Sequence, residues 1–292
     1  MKSNLQVKVI APSSKCDGIL DILRDLKNKL AKESLELIFN ENIFSDNTLP
    51  FFAASDEIRQ NDLKEAITSG ACDIIWAVRG GYGASNLIEN ALNYHPKNSP
   101  ILIGFSDITA LHLLFNQHYK LPSIHGPVIT SFVRNNDNFD IFKNILNGER
   151  QNYSLTPIDE KSSNQIEGNV SGGNLTVLAT MIGTKLSPIF QDKIILLEDV
   201  NEKGYQVHRH LIHMKQAGCL NGAKAILFGD FTHGDDLIKI AIENFCRNEI
   251  NIPSFYIFSV GHGVSNKPIV MESNALIKNN TLIVDSPFSI SI

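Results

Sequence analysis

Short apolar runs alternate with amphipathic stretches along this chain, and that alternation constrains the fold more than any other feature. Apolar runs that are rich in β-branched residues and bounded by Gly, Pro, Asn or Ser predict strands, and the stretches between them have the spacing of amphipathic helices. In the first half of the chain we predict strands at residues 7–11, 35–39, 73–78 and 100–105 and helices at residues 18–32, 57–69 and 108–119. This alternation is typical of βαβ units, so the sequence indicates an α/β fold with a largely parallel sheet.

A polar segment then interrupts the pattern. Residues 148–167 have little apolar periodicity and many polar side chains, which is typical of a linker between domains. Beyond it we predict strands at residues 193–197, 223–228 and 254–260, helices at residues 175–182, 205–217 and 236–248, and a hairpin at residues 275–284. We therefore expect an N-terminal α/β domain of residues 1–150, a linker of residues 151–167 and a C-terminal α/β domain of residues 168–292.

Composition and charge exclude some classes of function. Of the 292 residues, 43% are hydrophobic and 20% are charged, as in ordinary globular proteins. The net charge of -5 argues against a general affinity for nucleic acids, because that affinity rests on many Lys and Arg contacts to phosphate. A small or peptidic substrate is therefore expected, with no nucleic acid among the partners.

The cysteines and the amino terminus indicate where in the cell the protein is located. The chain has 4 cysteines and no C-x-x-C pair, so neither a disulfide framework nor a zinc ribbon is suggested. The first residues contain no long apolar run that ends in a small-residue cleavage site, and no later stretch reaches the roughly 20 apolar residues that span a bilayer. We expect a cytoplasmic protein with no membrane partner.

The strongest local signal of chemistry is the segment around Ser106. An apolar strand runs into Gly104-Phe105-Ser106-Asp107, and a helix begins at once. A sharp turn of this kind lifts a serine hydroxyl off the sheet edge and aims the first helical N–H groups at the same space, as in a nucleophile elbow. However, Ile108 stands where the second Gly of G-x-S-x-G would be, and a serine before a helix commonly serves as its N-cap. On this segment alone the N-cap is the better interpretation.

Two glycine-rich segments offer other candidates. Ser171 precedes Gly172, Gly173 and a helix, so it could be an elbow or an anion cradle, but a tight turn in which the glycines permit close packing is the better interpretation. Residues 79–83, Arg-Gly-Gly-Tyr-Gly, follow a strand and precede a helix, so their N–H groups could bind a phosphate or an oxyanion. They lack the G-K-[ST] of a P-loop, and alone a simple turn is favoured.

Three histidines in one predicted helix raise the question of a metal site. His210 and His213 share a helix face while His208 points elsewhere, and no Cys or HExxH pattern accompanies them. A solvated helix face is favoured, and we expect neither a metal nor a cofactor.

His262 differs from these because it directly follows the predicted strand at residues 254–260, at a sheet edge where loops carry function in α/β folds. Glu198 and Asp199 end another strand, so one of these carboxylates could orient an imidazole. An acid at a strand end is more often simply solvated, and only the combination with Ser106 and His262 favours a catalytic role. The candidates would then converge at the carboxyl ends of strands, where ligands bind in open α/β sheets.

Taken together, these segments resemble the LD-carboxypeptidase family, the muramoyltetrapeptide carboxypeptidases, over nearly the whole chain. The matching pieces, in chain order, are VIAPSS, FFAASDEIRQNDL, RGGYG, IGFSD, HGP at residues 125–127, EGNVSGGNL, LLEDV and GHG. Their order and spacing are specific to that family. The resemblance implies two α/β domains with the site between them, in a homodimer. The first would hold a Rossmann-like or flavodoxin-like parallel sheet, and the second would be a smaller α/β domain.

The resemblance also implies roles for individual residues. Ser106 would be the nucleophile, His262 the base and Glu198 the residue that orients the base. The backbone N–H groups of Asp107 and Gly81 would form the oxyanion hole. The implied reaction hydrolyses an L,D amide bond and releases terminal D-alanine from a murein tetrapeptide during peptidoglycan recycling.

Two other functions stay open. A relative with the same fold cleaves acyl-sulfamoyl adenylates and gives resistance to a peptide-nucleotide antibiotic, but this chain has few aromatic residues near the presumed site. A non-catalytic sugar or nucleotide binding module would use residues 79–83 and leave Ser106 inert. His208 precedes Arg209 where relatives often carry an acidic residue, a departure that bears on substrate preference and leaves the triad untouched.

Overall fold

The structure is a computed structural model of the chain, and it describes residues 4–45, 49–134, 139–159, 161 and 165–290. Its strands are β1 (Leu5–Ile10), β2 (Leu35–Ile38), β3 (Ile74–Ala77), β4 (Ile101–Gly104), β5 (Ser123–His125), β6 (Gln151–Pro157), β7 (Gln165–Asn174), β8 (Lys193–Val200), β9 (Ala225–Thr232), β10 (Ser254–Gly261), β11 (Ile269–Met271), β12 (Asn274–Lys278) and β13 (Thr281–Val284). Its α-helices are α1 (Ile19–Leu30), α2 (Asp56–Thr68), α3 (Ile88–Ala91), α4 (Thr109–Leu113), α5 (Ile129–Arg134), α6 (Phe139–Leu146), α7 (Leu175–Met181), α8 (Gly204–Gln216) and α9 (Leu237–Asn248).

The first sheet has the strand order β2-β1-β3-β4-β5-β11. Strands β1 to β5 are parallel to their neighbours, and β11, from the second half of the chain, pairs antiparallel with β5 at the edge. The order 2-1-3-4-5 is that of flavodoxin-like sheets, in which ligands bind outside the carboxyl ends of the strands near the switch between β1 and β3. The parallel α/β sheet predicted for the first half of the chain is confirmed.

The second sheet closes on itself in the order β10-β6-β13-β12-β7-β8-β9. Strands β7 to β10 are parallel neighbours, whereas β6, β12 and β13 join the sheet by antiparallel pairing. The predicted hairpin at residues 275–284 is present as β12 and β13, and Asn279 and Asn280 at its turn have positive φ angles, which Asn tolerates better than most residues. The molecule is therefore a mixed α/β fold with two sheets, one open and one closed.

The segment expected as a linker, residues 151–167, is largely sheet in its described part. Gln151–Pro157 forms β6, which pairs with β10 and β13, and β7 begins at Gln165. Tyr153 and Leu155 are buried, whereas the alternating residues Asn152, Ser154 and Thr156 are exposed. Such a half-buried strand alternates apolar and polar residues with a period of two, so a search for continuous apolar runs misses it. The linker prediction was wrong for this reason.

Apolar side chains fill the space on both faces of the first sheet. On β3, Ile74 and Trp76 pack on one face and Ile75 and Ala77 on the other, because successive strand residues point to opposite sides. Helix α4, which follows β4, is buried along its whole length and contacts β7 and α7 of the second half. The segment after β4 is thus held between the two sheets.

The helices of the protein are short. Two of the longer ones, α2 and α8, have 13 residues each. Within the part of the chain that the structure describes, no helix has the length and apolar character needed to cross a membrane.

Gly172 lies where the backbones of β7 and β8 approach each other closely. Its φ is 125°, and a Cβ there would lie 2.1 Å from the backbone O of Leu196. Gly183 also has a positive φ, 86°, but a Cβ there would meet nothing within 4 Å. We expect Gly183→Ala to lower the free energy of unfolding by about 1 kcal/mol through backbone strain alone. Gly172→Ala should lower it by more than about 3 kcal/mol, because the backbone of β8 must also move.

Urea unfolding followed by circular dichroism measures both free energies. Equal losses in the two variants would contradict the close approach of β7 and β8.

Candidate active site

Ser106 lies where β4 ends and a 3₁₀ turn, Ser106–Ile108, leads into α4. Its φ is 65°, which is uncommon for a residue other than glycine. Phe105 before it is extended, with φ of −154° and ψ of −174°. A strained residue between a strand and a helix is the geometry of a nucleophile elbow. An N-cap residue has a β-region backbone, so the N-cap interpretation does not fit Ser106.

The glycine-rich loop after β3 lies directly against Ser106. A Cβ on Gly80 would lie 2.9 Å from Ser106 Oγ and 3.4 Å from the backbone N of Asp107. Ser14, in the loop after β1, holds the same segment because its Oγ accepts a hydrogen bond from the Tyr82 N–H at 3.1 Å. Strands β1, β3 and β4 are parallel neighbours, so the loops at their carboxyl ends meet at one edge of the sheet.

The Asp107 carboxylate ties these loops together. Its Oδ2 accepts hydrogen bonds from the Ser13 hydroxyl at 2.6 Å and from the Ala84 N–H at 2.8 Å, and the side chain is buried. Arg59 is also buried and donates to the carbonyl oxygen of Gly83 at 3.0 Å. The loops after β1, β3 and β4 are thus fixed to one another by hydrogen bonds.

Glu198 and His262 form a hydrogen-bonded pair on the closed sheet. His262 Nδ1 lies 2.5 Å from Glu198 Oε2, so Nδ1–H donates to the carboxylate and Nε2 is left to accept a proton. Burial alone would raise the pKa of the fully buried Glu198 carboxyl, but His262 and His125 lower it to about 2. Burial would lower the pKa of His262, but attraction to Glu198, Asp199 and Asp230 raises it above its ordinary value of 6.5.

Irregular strand ends bring this pair together. The pairing of β8 with β9 shifts register between Leu197 and Asp199, around Glu198, and the pairing of β10 shifts before Gly261. Gly261 has a φ of 116°, and a Cβ there would lie 2.9 Å from Glu198 Oε2. Only glycine allows the backbone just before His262 to come so close to the carboxylate. Bulges that redirect side chains in this way are common next to active sites.

Phe105 connects the two halves of the site. Its ring lies against the His262 imidazole, with the ring centroids 4.6 Å apart, and it directly precedes Ser106 in the chain. Ser106 on the open sheet and the Glu198–His262 pair on the closed sheet therefore come to the same region between the two sheets.

Two competing candidates have other surroundings. The Asp199 carboxylate accepts hydrogen bonds from Asn174 Nδ2 and from the Thr176 N–H, both at 2.9 Å, at the start of α7. Burial and the nearby charge of Glu198 raise the pKa of Asp199 to about 6. Ser171 is buried inside β7, where it pairs with β8 and does not stand at a turn from a strand into a helix.

The three histidines of the predicted surface lie on α8. Burial lowers the pKa of His210, and the Arg209 guanidinium lies 5.7 Å from the centroid of the exposed Tyr205 ring. Across the described ranges of the chain, no group of three or more His, Cys, Asp or Glu side chains could hold a metal ion. His208, His210 and His213 therefore form no metal cluster in this structure.

Sequence reasoning gave no role to His125, which appeared only as part of the HGP piece. The residue ends β5 and pairs with Gly104 of β4. Its fully buried ring places Nε2 at 3.7 Å from Glu198 Oε1. The signal that could have found it is the order of parallel strands, because the last residue of β5 lies beside the end of the strand that carries Ser106.

Known proteins share this sequence pattern. Residues 7–126 match the LD-carboxypeptidase N-terminal domain, and residues 167–277 match the LD-carboxypeptidase C-terminal domain. A Rickettsia conorii protein named "Putative carboxypeptidase" is 36% identical over 283 residues, which cover 94% of this chain and 88% of that protein. The murein tetrapeptide carboxypeptidase of Pseudomonas aeruginosa is 28% identical over 305 residues, which cover 95% of this chain and 94% of that protein. The chain belongs to the LD-carboxypeptidase family of serine peptidases, which are hydrolases.

Two solved structures share the fold. The muramoyltetrapeptide carboxypeptidase from Oxalobacter formigenes has a TM-score of 0.81 at 24% identity, over 96% of this chain and 98% of that one. The microcin C7 self-immunity protein in its wild-type apo state has a TM-score of 0.80 at 18% identity, over 99% of this chain and 98% of that one. These likenesses support the arrangement of two sheets described above.

The Glu198–His262 pair predicts a titration signature. Acidic neighbours raise the pKa of His262 above 6.5, so the imidazole is protonated below that pKa, and any reaction that needs the neutral base slows as the pH falls through it. Glu198→Gln removes the strongest of these attractions and leaves the effect of burial. We expect the pKa of His262 to fall below 6.5 in that variant, as measured by NMR titration of its ring.

The matched control is Glu89→Gln, which removes an exposed carboxylate that pairs with Lys185. It should leave the titration of His262 unchanged. A His262 pKa that does not move in Glu198→Gln would contradict the coupling of the pair.

Proposed function

We propose that this protein is a serine carboxypeptidase that hydrolyses the L,D amide bond before the terminal D-alanine of murein tetrapeptides. The observation that carries the proposal is the Glu198–His262 hydrogen bond in the same region as the strained Ser106, in a chain of the LD-carboxypeptidase family. A relative that aligns over nearly the whole chain is a murein tetrapeptide carboxypeptidase, which supports this class of substrate.

Ser106 is the nucleophile in this mechanism. Its Oγ attacks the carbonyl carbon of the scissile amide while its proton passes to His262 Nε2, and a tetrahedral intermediate forms. The imidazolium then gives that proton to the amide nitrogen, the C–N bond breaks, D-alanine leaves and an acyl-enzyme remains. The same imidazole then takes a proton from water, which attacks the ester carbon. The bond to Ser106 Oγ breaks, the imidazolium returns its proton to that oxygen, and the tripeptide leaves.

Glu198 supports both proton transfers. Because its oxygen accepts from His262 Nδ1–H, the imidazole keeps the tautomer in which Nε2 is the base. The pKa of Glu198, about 2, keeps the carboxylate ionised throughout the neutral range, so it offsets the positive charge that His262 gains in the reaction.

The backbone N–H groups of Asp107 and Gly81 are the proposed oxyanion donors. The close approach of Gly80 to Ser106 Oγ and to the Asp107 nitrogen supports this assignment. Each oriented donor of this kind stabilises the transition state by about 3 kcal/mol. The hydrogen bonds of the Asp107 carboxylate and of Ser14 fix the positions of the loops that carry these two N–H groups.

A cleft of about 840 Å³ offers room for the peptide. It begins at Gly81 and Asp107 and continues between the segment after β3 and α7, where Thr176, Thr180 and Lys185 line it. Ligand sites of roughly 300–1,000 Å³ enclose most of the surface of a small molecule. The Thr176 and Thr180 hydroxyls donate within the protein and can accept hydrogen bonds from the amide N–H groups of a peptide. Lys185 pairs with Glu89, which also lines the cleft.

The proposal includes a cytoplasmic location, a homodimer and a role in peptidoglycan recycling. The four cysteines, Cys16, Cys72, Cys219 and Cys246, are free thiols, which agrees with a reducing compartment. The likeness to the LD-carboxypeptidase family supports the homodimer and the recycling role.

The substrate assignment predicts a preference for the length of the peptide. The protein should release D-alanine from a murein tetrapeptide and should act about a hundredfold or more slowly on a pentapeptide that ends in D-alanyl-D-alanine. The carbonyl before the terminal D-alanine belongs to an L centre in the tetrapeptide and to a D-alanine in the pentapeptide. The oxyanion donors accept the carbonyl in one facial orientation, so the inverted residue displaces it. A misplacement of about 1 Å reduces the rate on the order of a hundredfold. Incubation with purified muropeptides followed by mass spectrometry measures both rates.

Ser106→Ala, with an unchanged circular dichroism spectrum, is the control and should release no D-alanine from either peptide. Similar rates on the two peptides would contradict the L,D assignment even if the reaction depends on Ser106. Turnover of an acyl-sulfamoyl adenylate in place of both peptides would favour the antibiotic-inactivating function instead.

A further inference from the structure

A second histidine faces the carboxylate of the proposed triad. Glu198 Oε2 is bound by His262, but Oε1 has no hydrogen-bond partner among the residues that the structure describes. His125 Nε2 lies 3.7 Å from Oε1, and both side chains are completely buried. Within the same described ranges, neither ring nitrogen of His125 has a hydrogen-bond partner. Two unsatisfied polar groups therefore face each other across a gap slightly longer than a hydrogen bond.

Such an arrangement is unusual for buried groups. Most buried polar side-chain atoms have a hydrogen-bond partner, because an unpaired buried group has lost its hydration without compensation. A closure of about 0.8 Å would bring Nε2 and Oε1 to an ordinary hydrogen-bond distance of about 2.9 Å and would satisfy both atoms. Catalytic hydrogen bonds are often long in the free enzyme and tighten when substrate binds.

We propose that His125 is a positioning residue, whose Nε2–H donates to Glu198 Oε1 and fixes the carboxylate that orients His262. This inference rests on the proposed serine mechanism. A carboxylate held through one oxygen can rotate about its last bond, whereas one held through both oxygens has a fixed plane. Glu198 then bridges two imidazoles, with His262 on one oxygen and His125 on the other.

The neighbours of His125 hold its ring in place. The residue ends β5, where it pairs with Gly104 of β4 on one side and with Ile269 of β11 on the other. Its ring meets the ring of Phe105 nearly edge-on, with the centroids 6.1 Å apart. Phe105 is also the residue whose ring contacts His262. The same aromatic side chain thus packs against both imidazoles that face Glu198.

His112, the other buried histidine nearby, is not available for this role. Its Nδ1 lies 2.7 Å from Ser123 Oγ and its Nε2 lies 2.8 Å from the carbonyl oxygen of Gly104. A carbonyl oxygen only accepts, so Nε2 carries the proton and both nitrogens are in use. Burial is the largest cause that lowers the pKa of His112 to about 3, so this side chain also carries no charge at neutral pH.

His125 acts as a neutral donor in this arrangement. An imidazolium would need an acceptor for Nδ1–H as well, and no described residue supplies one. Its positive charge would also oppose the protonation of His262 across the shared carboxylate. The neutral tautomer with the proton on Nε2 satisfies Glu198 Oε1 without that penalty.

The donor has an electrostatic consequence for the base. His262 is faced by Glu198 and Asp199 from β8 and by Asp230 from β9, and His125 adds an N–H dipole whose positive end points at Glu198. That dipole weakens the attraction between the Glu198 carboxylate and the protonated imidazole of His262. Loss of the donor should therefore raise the pKa of His262 and move the acid limb of kcat/KM to higher pH, whereas loss of packing alone gives no such shift.

Three substitutions separate the hydrogen bond from the packing. His125→Gln places an amide N–H near the position of Nε2, His125→Asn places one near the position of Nδ1, and His125→Phe keeps a ring without a donor. With a murein tetrapeptide we expect kcat to fall on the order of 10- to 100-fold in the Phe and Asn variants, with KM within about twofold of the wild type. The Gln variant should keep most of the wild-type kcat. Circular dichroism confirms that each variant is folded.

NMR without substrate gives a second readout that does not depend on the substrate assignment. The ¹⁵N shifts of the wild-type rings should show His125 as the neutral Nε2–H tautomer, and the pKa of His262 should be higher in His125→Phe than in the wild type and restored in His125→Gln.

The proposal is overturned by an Nδ1–H tautomer of His125, by a pKa of His262 that is the same in all folded variants, or by equal kcat values of the Phe and Gln variants. If the wild type hydrolyses no murein peptide, the proposed substrate fails, and the tautomer and the His262 titration still decide the role of His125.

Discussion

The hydrogen bond between Glu198 and His262 is the interaction on which the rest of the site depends. A fully buried carboxylate is unfavourable unless a partner compensates its charge, and His262 supplies that partner at 2.5 Å. The pair can form only because Gly261 brings its backbone close to the carboxylate and because β8 changes register around Glu198. The irregular ends of these two strands therefore allow the contact with Glu198 that makes His262 more basic.

Contacts between the open sheet and the closed sheet place this pair near Ser106. Helix α4, which follows Ser106, packs on the corner where β7 becomes α7. Thr109 Oγ1 accepts a hydrogen bond from the Asn174 N–H at 2.9 Å, and a Cβ on Gly173 would lie 2.5 Å from the same oxygen. With Phe105 against His262, these contacts fix the strand end that carries Ser106 relative to the strand ends that carry its proposed partners.

The sequence predicted four of the six strands of the first sheet, β1 to β4, within about two residues of their observed ends, because parallel buried strands are nearly continuous apolar runs. It could not separate an elbow from an N-cap at Ser106, since the positive φ is a property of the folded backbone, and only the resemblance to a family favoured the nucleophile. β6 was missed because its apolar residues alternate with polar ones, and β5 and β11 were missed because each has only three residues. The position of His125 opposite Glu198 depends on which strand lies next to β4, which local patterns do not encode.

Covalent labelling with a fluorophosphonate tests the proposed triad most directly, because the probe reacts with a serine that a neighbouring base activates. Mass spectrometry of the labelled wild-type protein should find the modification on Ser106. Ser171→Ala should react at the wild-type rate, and His262→Ala, still folded, should react far more slowly. Modification of Ser171, or of Ser106 at an unchanged rate after the loss of His262, would contradict the account.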